Sequence, residues 1–297
     1  MKRTLGERIF AKFNVIFMLF ICVIMIFPYL NQIAISLNEG WDTSFGGITI
    51  YPRKFTWVNY KTLFLNAEIV NAFTLTVTNV IVNTALSLLF TVGAAYALNR
   101  KDLPFRNGLL LFFMLPMYIT PGTIPIFILF RYLKLLDNRM LYFILGIFSF
   151  YNCVVIRSFM KSIPDSLEES AKLDGANEVI ILFRIILPLC MPVIATVALW
   201  LMVGTWNNYT TSMLYMTKRS LYTLQYVVMQ IIKQSEIVSQ LQSETALTGG
   251  GEGLADNVTS QSVQSAAIIF STLPIIMVYP FLQKYFVKGV TIGAVKD

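Results

Sequence analysis

Six stretches of this chain, residues 14–36, 71–98, 108–130, 140–156, 188–215 and 263–283, are dominated by apolar residues and contain no Asp, Glu, Lys or Arg. Crossing the hydrocarbon core of a bilayer takes about 20 apolar residues as helix, because in lipid each backbone amide must find its partner within its own segment. The pattern predicts an all-α integral membrane protein with about six transmembrane helices. Composition agrees: 13% of the 297 residues are charged and 56% are hydrophobic, against about 25% charged in a soluble domain. The first stretch is too long for a signal-peptide core and no small-residue cleavage site follows it, so it is read as a retained span.

Lys and Arg set the orientation. With the N-terminus inside, 14 of the 23 basic residues fall on cytoplasmic segments, the bias the positive-inside rule requires. The layout is then a cytoplasmic N-terminus (1–13), a membrane domain (14–287) and a cytoplasmic tail (288–297), with both termini inside. Two polar segments, 37–70 and 216–262, lie outside. The second holds Gly249-Gly250-Gly251-Glu252-Gly253, which reads as a flexible loop. No Lys-Ser or Lys-Thr follows, as a phosphate-binding loop would need.

The net charge of +7 is scattered over short loops, which disfavours a nucleic-acid partner. The chain has no His, the commonest metal ligand and the usual proton carrier near neutral pH. Cys22, Cys153 and Cys190 lie in apolar runs, without metal or disulfide spacing, and read as packing residues. No metal and no cofactor is expected in this chain.

The most structured loop is 162–188. Ser162 with Asp165 resembles a capping box, Pro164 suits a first turn, and Asp165, Glu168 and Glu169 favour the positive end of a helix dipole. Gly175 can take the left-handed conformation that ends a helix. Asn177 and Glu178 then open a second helix with an apolar face of Val179, Ile180, Phe183 and Leu187. The loop is thus a helix, a Gly turn and a second helix. Small residues at Ser170 and Ala171 allow close approach by another protein. The competing reading is a surface helix on lipid headgroups, but such helices favour a basic polar face and this one is mainly acidic.

Glu169-Ser170-Ala171, followed by Gly175 and by Ile185, Leu187 and Pro188, resembles the Glu-Ala-Ala loop of binding-protein-dependent ABC importer permeases, with Ser170 for the central Ala. Further similarity lies in Leu5-Gly6-Glu7-Arg8, in Ala95-Tyr96-Ala97-Leu98 with Arg100 to Pro104, in Trp206-Asn207 and in Tyr279 to Phe286. These resemble the MalG-like permeases of carbohydrate importers, and more narrowly the branch associated with aldouronate and polysaccharide fragments. The resemblance implies the type I permease fold with a cytoplasmic coupling helix. It implies ATPase-coupling roles for Glu169, Ser170, Ala171, Asp174 and Gly175, with Ile185, Leu187 and Pro188 shaping the start of the fifth span. It also implies partners: a second, homologous permease subunit in a heterodimer, two cytoplasmic ATPase subunits that bind ATP and Mg, an extracellular solute-binding protein and a saccharide. The C-terminal segment 288–296 resembles the family tail that reaches the ATPase interface; otherwise it is an ordinary terminus.

Charge-free spans weigh against an ion-coupled carrier, which normally keeps an intramembrane ionisable residue. Uncharged polar groups are arranged instead. Asn79, Asn83 and Ser87 recur every four residues, with Thr91 extending the stripe; they either line a path or act as interhelical glue. Pro116, Tyr118, Thr120, Pro121, Gly122, Thr123 and Pro125 break the third span, and freed carbonyls persist only against protein or a wet cavity. Trp206, Asn207, Asn208 and Tyr209 combine rings with amides, as sugar recognition needs, or form an aromatic belt at the outer interface. The candidate translocation-path residues are Asn79, Asn83, Tyr118, Thr120, Trp206, Asn207, Asn208 and Tyr209. The expected function is an importer permease without its own ATPase site, in a bacterial cytoplasmic membrane, carrying oligosaccharides or polysaccharide fragments. Alternatives are an ABC permease for another small solute, or an ATP-independent channel or secondary carrier.

Overall fold

The computed structural model describes residues 4–119, 121–247 and 259–294; Thr120, Gly249 to Gly253 and residues 295–297 lie outside them. Three helices are each long and apolar enough to cross a membrane: α1 (Leu5–Ser36), a longer helix that begins at Ala67, and Ser260–Pro280 within the last helix. Three bent pairs bring the number of crossings to six if each pair counts once.

α1 starts well before residue 14 because Thr4 and Glu7 form a reciprocal capping box, satisfying two N-terminal amides. At 1.5 Å per residue its 32 residues span about 48 Å, more than a hydrocarbon core of about 30 Å. The helix therefore reaches past the lipid into water. Its side chains between residues 15 and 30 are mostly exposed and apolar, the surface lipid requires.

The described residues form two compact units, Met1–Val70 with Val227–Leu273, and Asn71–Tyr226 with Pro274–Asp297. In the first unit, the polar segment after α1 is folded. α2 (Gly40–Ser44) and α3 (Val58–Leu65) are held by three asparagines that stand in for backbone. Asn31 Nδ2 donates to Ile48 O at 2.7 Å, and Asn38 Oδ1 accepts from Lys54 N at 2.8 Å. Asn59 Nδ2 donates to Ser36 O and Asn38 O at 2.9 and 2.8 Å. An Asp42–Arg53 ion pair at 2.9 Å closes the turn between them.

α4 (Ala67–Asn99) is unbroken over 33 residues. The third apolar stretch does not cross straight. α5 (Arg106–Tyr118) and α6 (Thr123–Tyr132) meet at 113°. The break follows from Pro116 inside α5 and from Gly122, whose φ of 82° no L side chain adopts easily. The fourth stretch divides into α7 (Met140–Gly146) and α8 (Phe150–Met160), bent by 47°, with Ser149 capping α8.

α9 (Asp165–Leu173) and α10 (Glu178–Ile181) form the predicted hairpin. A π-helical turn (Leu182–Ile186) and α11 (Leu187–Leu189) then lead to α12 (Met191–Trp206), with an 81° bend between. The expected fifth span 188–215 therefore ends early: Asn207 caps α12, and α13 (Thr210–Tyr215) is a separate short helix. The segment 216–262, read as loop, holds the 24-residue α14 (Leu224–Leu247). The last helix is α15 (Ser260–Ala294); it continues through the backbone of the predicted tail as far as Ala294.

The main core of the second unit joins the end of α4 to α8, the hairpin and α12. Ala95, Cys153, Ile156, Ile181, Cys190 and Val197 are fully buried within it. Cys153 and Cys190 are packing residues there, whereas Cys22 is exposed on α1.

Candidate functional site

The hairpin is built from backbone rules. α9 begins at Pro164, which supplies an extended N-cap conformation without a side-chain bond. The expected Ser162–Asp165 capping box does not form: Ser162 Oγ donates instead to Phe159 O at 2.7 Å, closing the preceding α8 turn. Asp165 turns to Lys101 at 2.7 Å. α9 ends in a Schellman motif, with Ala176 N donating to Ala171 O and Gly175 N to Lys172 O, both at 3.0 Å. That geometry needs a left-handed residue at position 175, and Gly175 has φ 80°. Asn177 Oδ1 then accepts from Ile180 N at 2.9 Å and opens α10.

The apolar face of the second helix differs from the expected one. Val179, Ile180 and Phe183 are exposed and Leu187 half-buried, while Ile181, Ile186 and Cys190 are buried. The step from Ile181 to Ile186 is five residues because the π turn inserts one extra residue per turn. A 3.6-residue period points to the wrong side.

Of the coupling residues that the family resemblance implies, Ala171 is buried in the core. Glu169, Ser170, Asp174, Gly175 and Pro188 are exposed, and Ile185 and Leu187 are half-buried. Ala171 thus anchors α9 while the residues beside it face outward. Leu173, at the end of α9, is 90% exposed, a large apolar side chain next to the turn. The sequence alone did not single it out, because Leu173 sits in a charged run.

Charge ties the hairpin to α4. Arg100, just past α4, pairs with Glu168 on α9 and with Glu178 at the start of α10. Tyr96 OH donates to Glu178 at 2.6 Å, and Lys172 lies 3.3 Å from it. A cavity of about 580 Å³ beside this cluster is lined by Arg106, Lys161 and Glu169, among others. Asp165 is held below the usual carboxylate range by the hydrogen bond and charge of Lys101, and Lys101 is raised by the same partner.

The path candidates divide into separate places. Asn79 and Asn83 are buried on α4. Asn83 Nδ2 donates to Tyr142 O at 2.9 Å, whereas both polar atoms of Asn79 have no partner among the described residues. Ser87 and Thr91 continue the stripe, buried. Tyr142 OH meets Ser212 Oγ at 2.8 Å, Ser212 meets Thr223, and Thr223 Oγ1 donates to Asn208 O at 3.0 Å. Asn83 therefore meets Tyr142 at its backbone carbonyl, and a separate run of hydroxyls leads from the Tyr142 phenol through Ser212 and Thr223 to the backbone carbonyl of Asn208.

Trp206 is buried, edge-on to Phe73 at 6.1 Å, and lines an apolar groove of about 280 Å³ with Leu199, Met202 and Tyr279. Asn207 is exposed and accepts from Gln225 at 3.4 Å. Tyr209 and Tyr118 are exposed, and Thr120 lies outside the described residues. The structure thus places Asn83 and Asn208 on either side of Tyr142 without joining their side chains, and sets the Trp206 ring in an apolar groove.

Apolar helices, several broken within the span, together with a polar helical hairpin bound to the end of one of them, define a membrane permease subunit. The chain belongs to the family described as binding-protein-dependent transport system inner membrane component, which matches residues 87–292. It is 34% identical over its whole length to Protein LplC of Bacillus subtilis (strain 168), 98% of which it covers. It is 32% identical to the polygalacturonan/rhamnogalacturonan transport system permease protein YtcP of the same organism, over 98% of this chain and 99% of that protein. Its fold matches, with a TM-score of 0.85 and 26% identity, a chain of a bacterial ABC transporter involved in the import of the acidic polysaccharide alginate. That match covers 96% of this chain and 99% of the other. The protein is a type I permease subunit of a binding-protein-dependent importer.

Proposed function

We propose that this permease carries oligosaccharides or polysaccharide fragments, powered by two cytoplasmic ATPase subunits that seat the hairpin 162–188. The observation that carries the reading is the hairpin: its outward side is formed by Glu169, Ser170, Asp174 and the protruding Leu173, while Ala171 and Ile181 root it in the core. A rooted element with an exposed small and apolar tip suits force transmission from a partner. The relatives named for polygalacturonan/rhamnogalacturonan transport and for alginate import support a saccharide cargo.

In this reading ATP and Mg are bound by the partner ATPases and no cofactor is held by this chain. A second, homologous permease completes the pathway as a heterodimer, and an extracellular binding protein delivers the sugar. The chain sits in a bacterial cytoplasmic membrane with both termini inside. The exposed Asn207 and Tyr209 offer hydrogen bonds without charge, which matches hydroxyl-rich cargo, while Asn79 and Asn83 are buried within the chain and Asn208 holds Thr211 N.

The test is reconstitution of the permease pair with its ATPase and binding protein in liposomes. Oligosaccharide should raise ATP hydrolysis, and uptake should cease without ATP. Uptake that persists without ATP under a proton gradient would overturn the reading.

A further inference from the structure

We propose that Arg100 is the joint through which both helices of the hairpin are fixed to α4, so that a push on α9 moves α4 instead of being absorbed at Gly175. This rests on the hairpin being the ATPase contact. The Gly175 turn is open, with nothing within 4 Å of where a Cβ would stand, so beyond the Schellman hydrogen bonds and the buried Ala171 no contact of the turn residue itself ties α9 to α10. Arg100 supplies the brace. Its guanidinium pairs with Glu168 on one side of the turn and with Glu178 on the other. It also lies over the Tyr96 ring at 5.3 Å, and Tyr96 OH donates to the same Glu178.

Burial makes the Glu168 arm of this bridge stiff, while Glu178, 50% exposed, is held by its three partners Arg100, Lys172 and the Tyr96 hydroxyl. The Arg100 and Glu168 side chains are 17% and 18% exposed, so opening the pair leaves charge poorly solvated. The neighbouring Lys101–Asp165 pair is 80% and 72% exposed, and a pair in water holds little. A planar guanidinium presents separate nitrogens to the two carboxylates in a fixed geometry, whereas the three donors of an ammonium share one nitrogen on a flexible stem. The direction of transmission follows from the helices around the hairpin. α8 and α12 belong to bent pairs, whereas α4 is unbroken and carries Asn79 and Asn83. The hairpin therefore grips α4, which among the described residues of this core is the unbroken helix.

The experiment uses the full complex in liposomes, with uptake per ATP hydrolysed and bound ATPase measured together. The variants are Arg100→Gln, Arg100→Lys, the double Glu168→Gln/Glu178→Gln and the triple that combines it with Arg100→Gln. Arg100→Gln should keep its ATPase while uptake per ATP falls roughly five- to tenfold, the scale of a lost coupling between sites. The double should fall equally, the triple no further, and Arg100→Lys should recover only part. Full coupling in Arg100→Gln, or losses that add in the triple, would overturn the joint. Where Arg100→Gln does not assemble, Glu178→Gln alone decides: its half-exposed carboxylate is removed with little cost to folding, and unchanged uptake per ATP rejects the proposal. If cross-linking finds no ATPase at Leu173 in the native complex, it is the docking reading that fails.

Discussion

The Asn83 carboxamide donates to the Tyr142 carbonyl at 2.9 Å, and Gly146, one turn further along α7, leaves the space that the carboxamide fills. A Cβ at Gly146 would collide with the Asn83 side chain. Small residues that admit a polar neighbour are the usual means of joining helices in lipid. Gly146→Ala should therefore lower the thermal midpoint of the detergent-solubilised protein, at an overpacking cost of about 1–3 kcal/mol. Asn83→Ala should cost less, about 0.6 kcal/mol for a typical interhelical hydrogen bond. Combining the two should restore part of the Gly146→Ala loss, because the collision partner is gone; additive losses would show that the carboxamide is not what Gly146 accommodates.

Gly175 separates conformation from crowding. With open space around it, its constraint is the φ of 80° alone. Asn visits that region and should keep most transport activity, while Val should cost about 1 kcal/mol or more. Gly175→Pro fixes φ near the opposite sign and also removes the amide that donates to Lys172 O. It should abolish uptake while membrane insertion, measured by fractionation, is kept. Normal uptake in Gly175→Pro would reject the Schellman turn as a requirement.

How far the sequence was legible depends on the range of the interaction. The spans could be read because twenty apolar residues in a row have few alternatives, and the Gly175 turn because its rule is local. Pro116, Pro121 and Gly122 announced a break, though not its angle of 113°. α14 was missed under a Gln and Ser-rich surface, although Leu224, Val227, Val228 and Ile231 stand at helical spacing. The buried face of Ile181 and Ile186 could not be read from a 3.6-residue period, because a π turn is a response to tertiary fit. Arg100 meets Glu168 and Glu178 across 68 and 78 residues of chain, and no local pattern encodes such a pairing.

Asp137 gives the connection between α6 and α7 a pH dependence. Its carboxylate accepts from the Thr217 hydroxyl at 2.6 Å and from the amides of Thr217 and Lys218. Those hydrogen bonds, the hydroxyl first, hold it below the usual carboxylate range. A folded-state value depressed below the unfolded one contributes stability that is complete above the unfolded value, about pH 4, and is lost as pH falls through the folded value. The thermal midpoint of the wild type should thus exceed that of Asp137→Asn at neutral pH, and the difference should shrink on acidification. A gap that stays constant or widens toward low pH would show that the charge plays no part.

Leu173 tests the hairpin tip. Its side chain is 90% exposed, against 43% for Leu167 on the same helix, so Leu173 adds little to the fold of the isolated subunit. Burial of a leucine in a partner's cleft is worth about 1.5–3 kcal/mol, which is roughly a ten- to hundredfold change in affinity. Leu173→Asp should weaken ATPase binding by that order, read by titrating the purified ATPase onto the permease in nanodiscs. The thermal midpoint of the permease alone should not move, since an exposed side chain contributes little to it. Ala171→Asp makes the opposite contrast: that position is buried against α8 and α12 in the core, so the substitution should destabilise the permease before any partner is added. Should Leu173→Asp bind the ATPase as tightly as the native chain, the contact lies elsewhere on the hairpin, and Glu169 and Ser170 become the residues to change next.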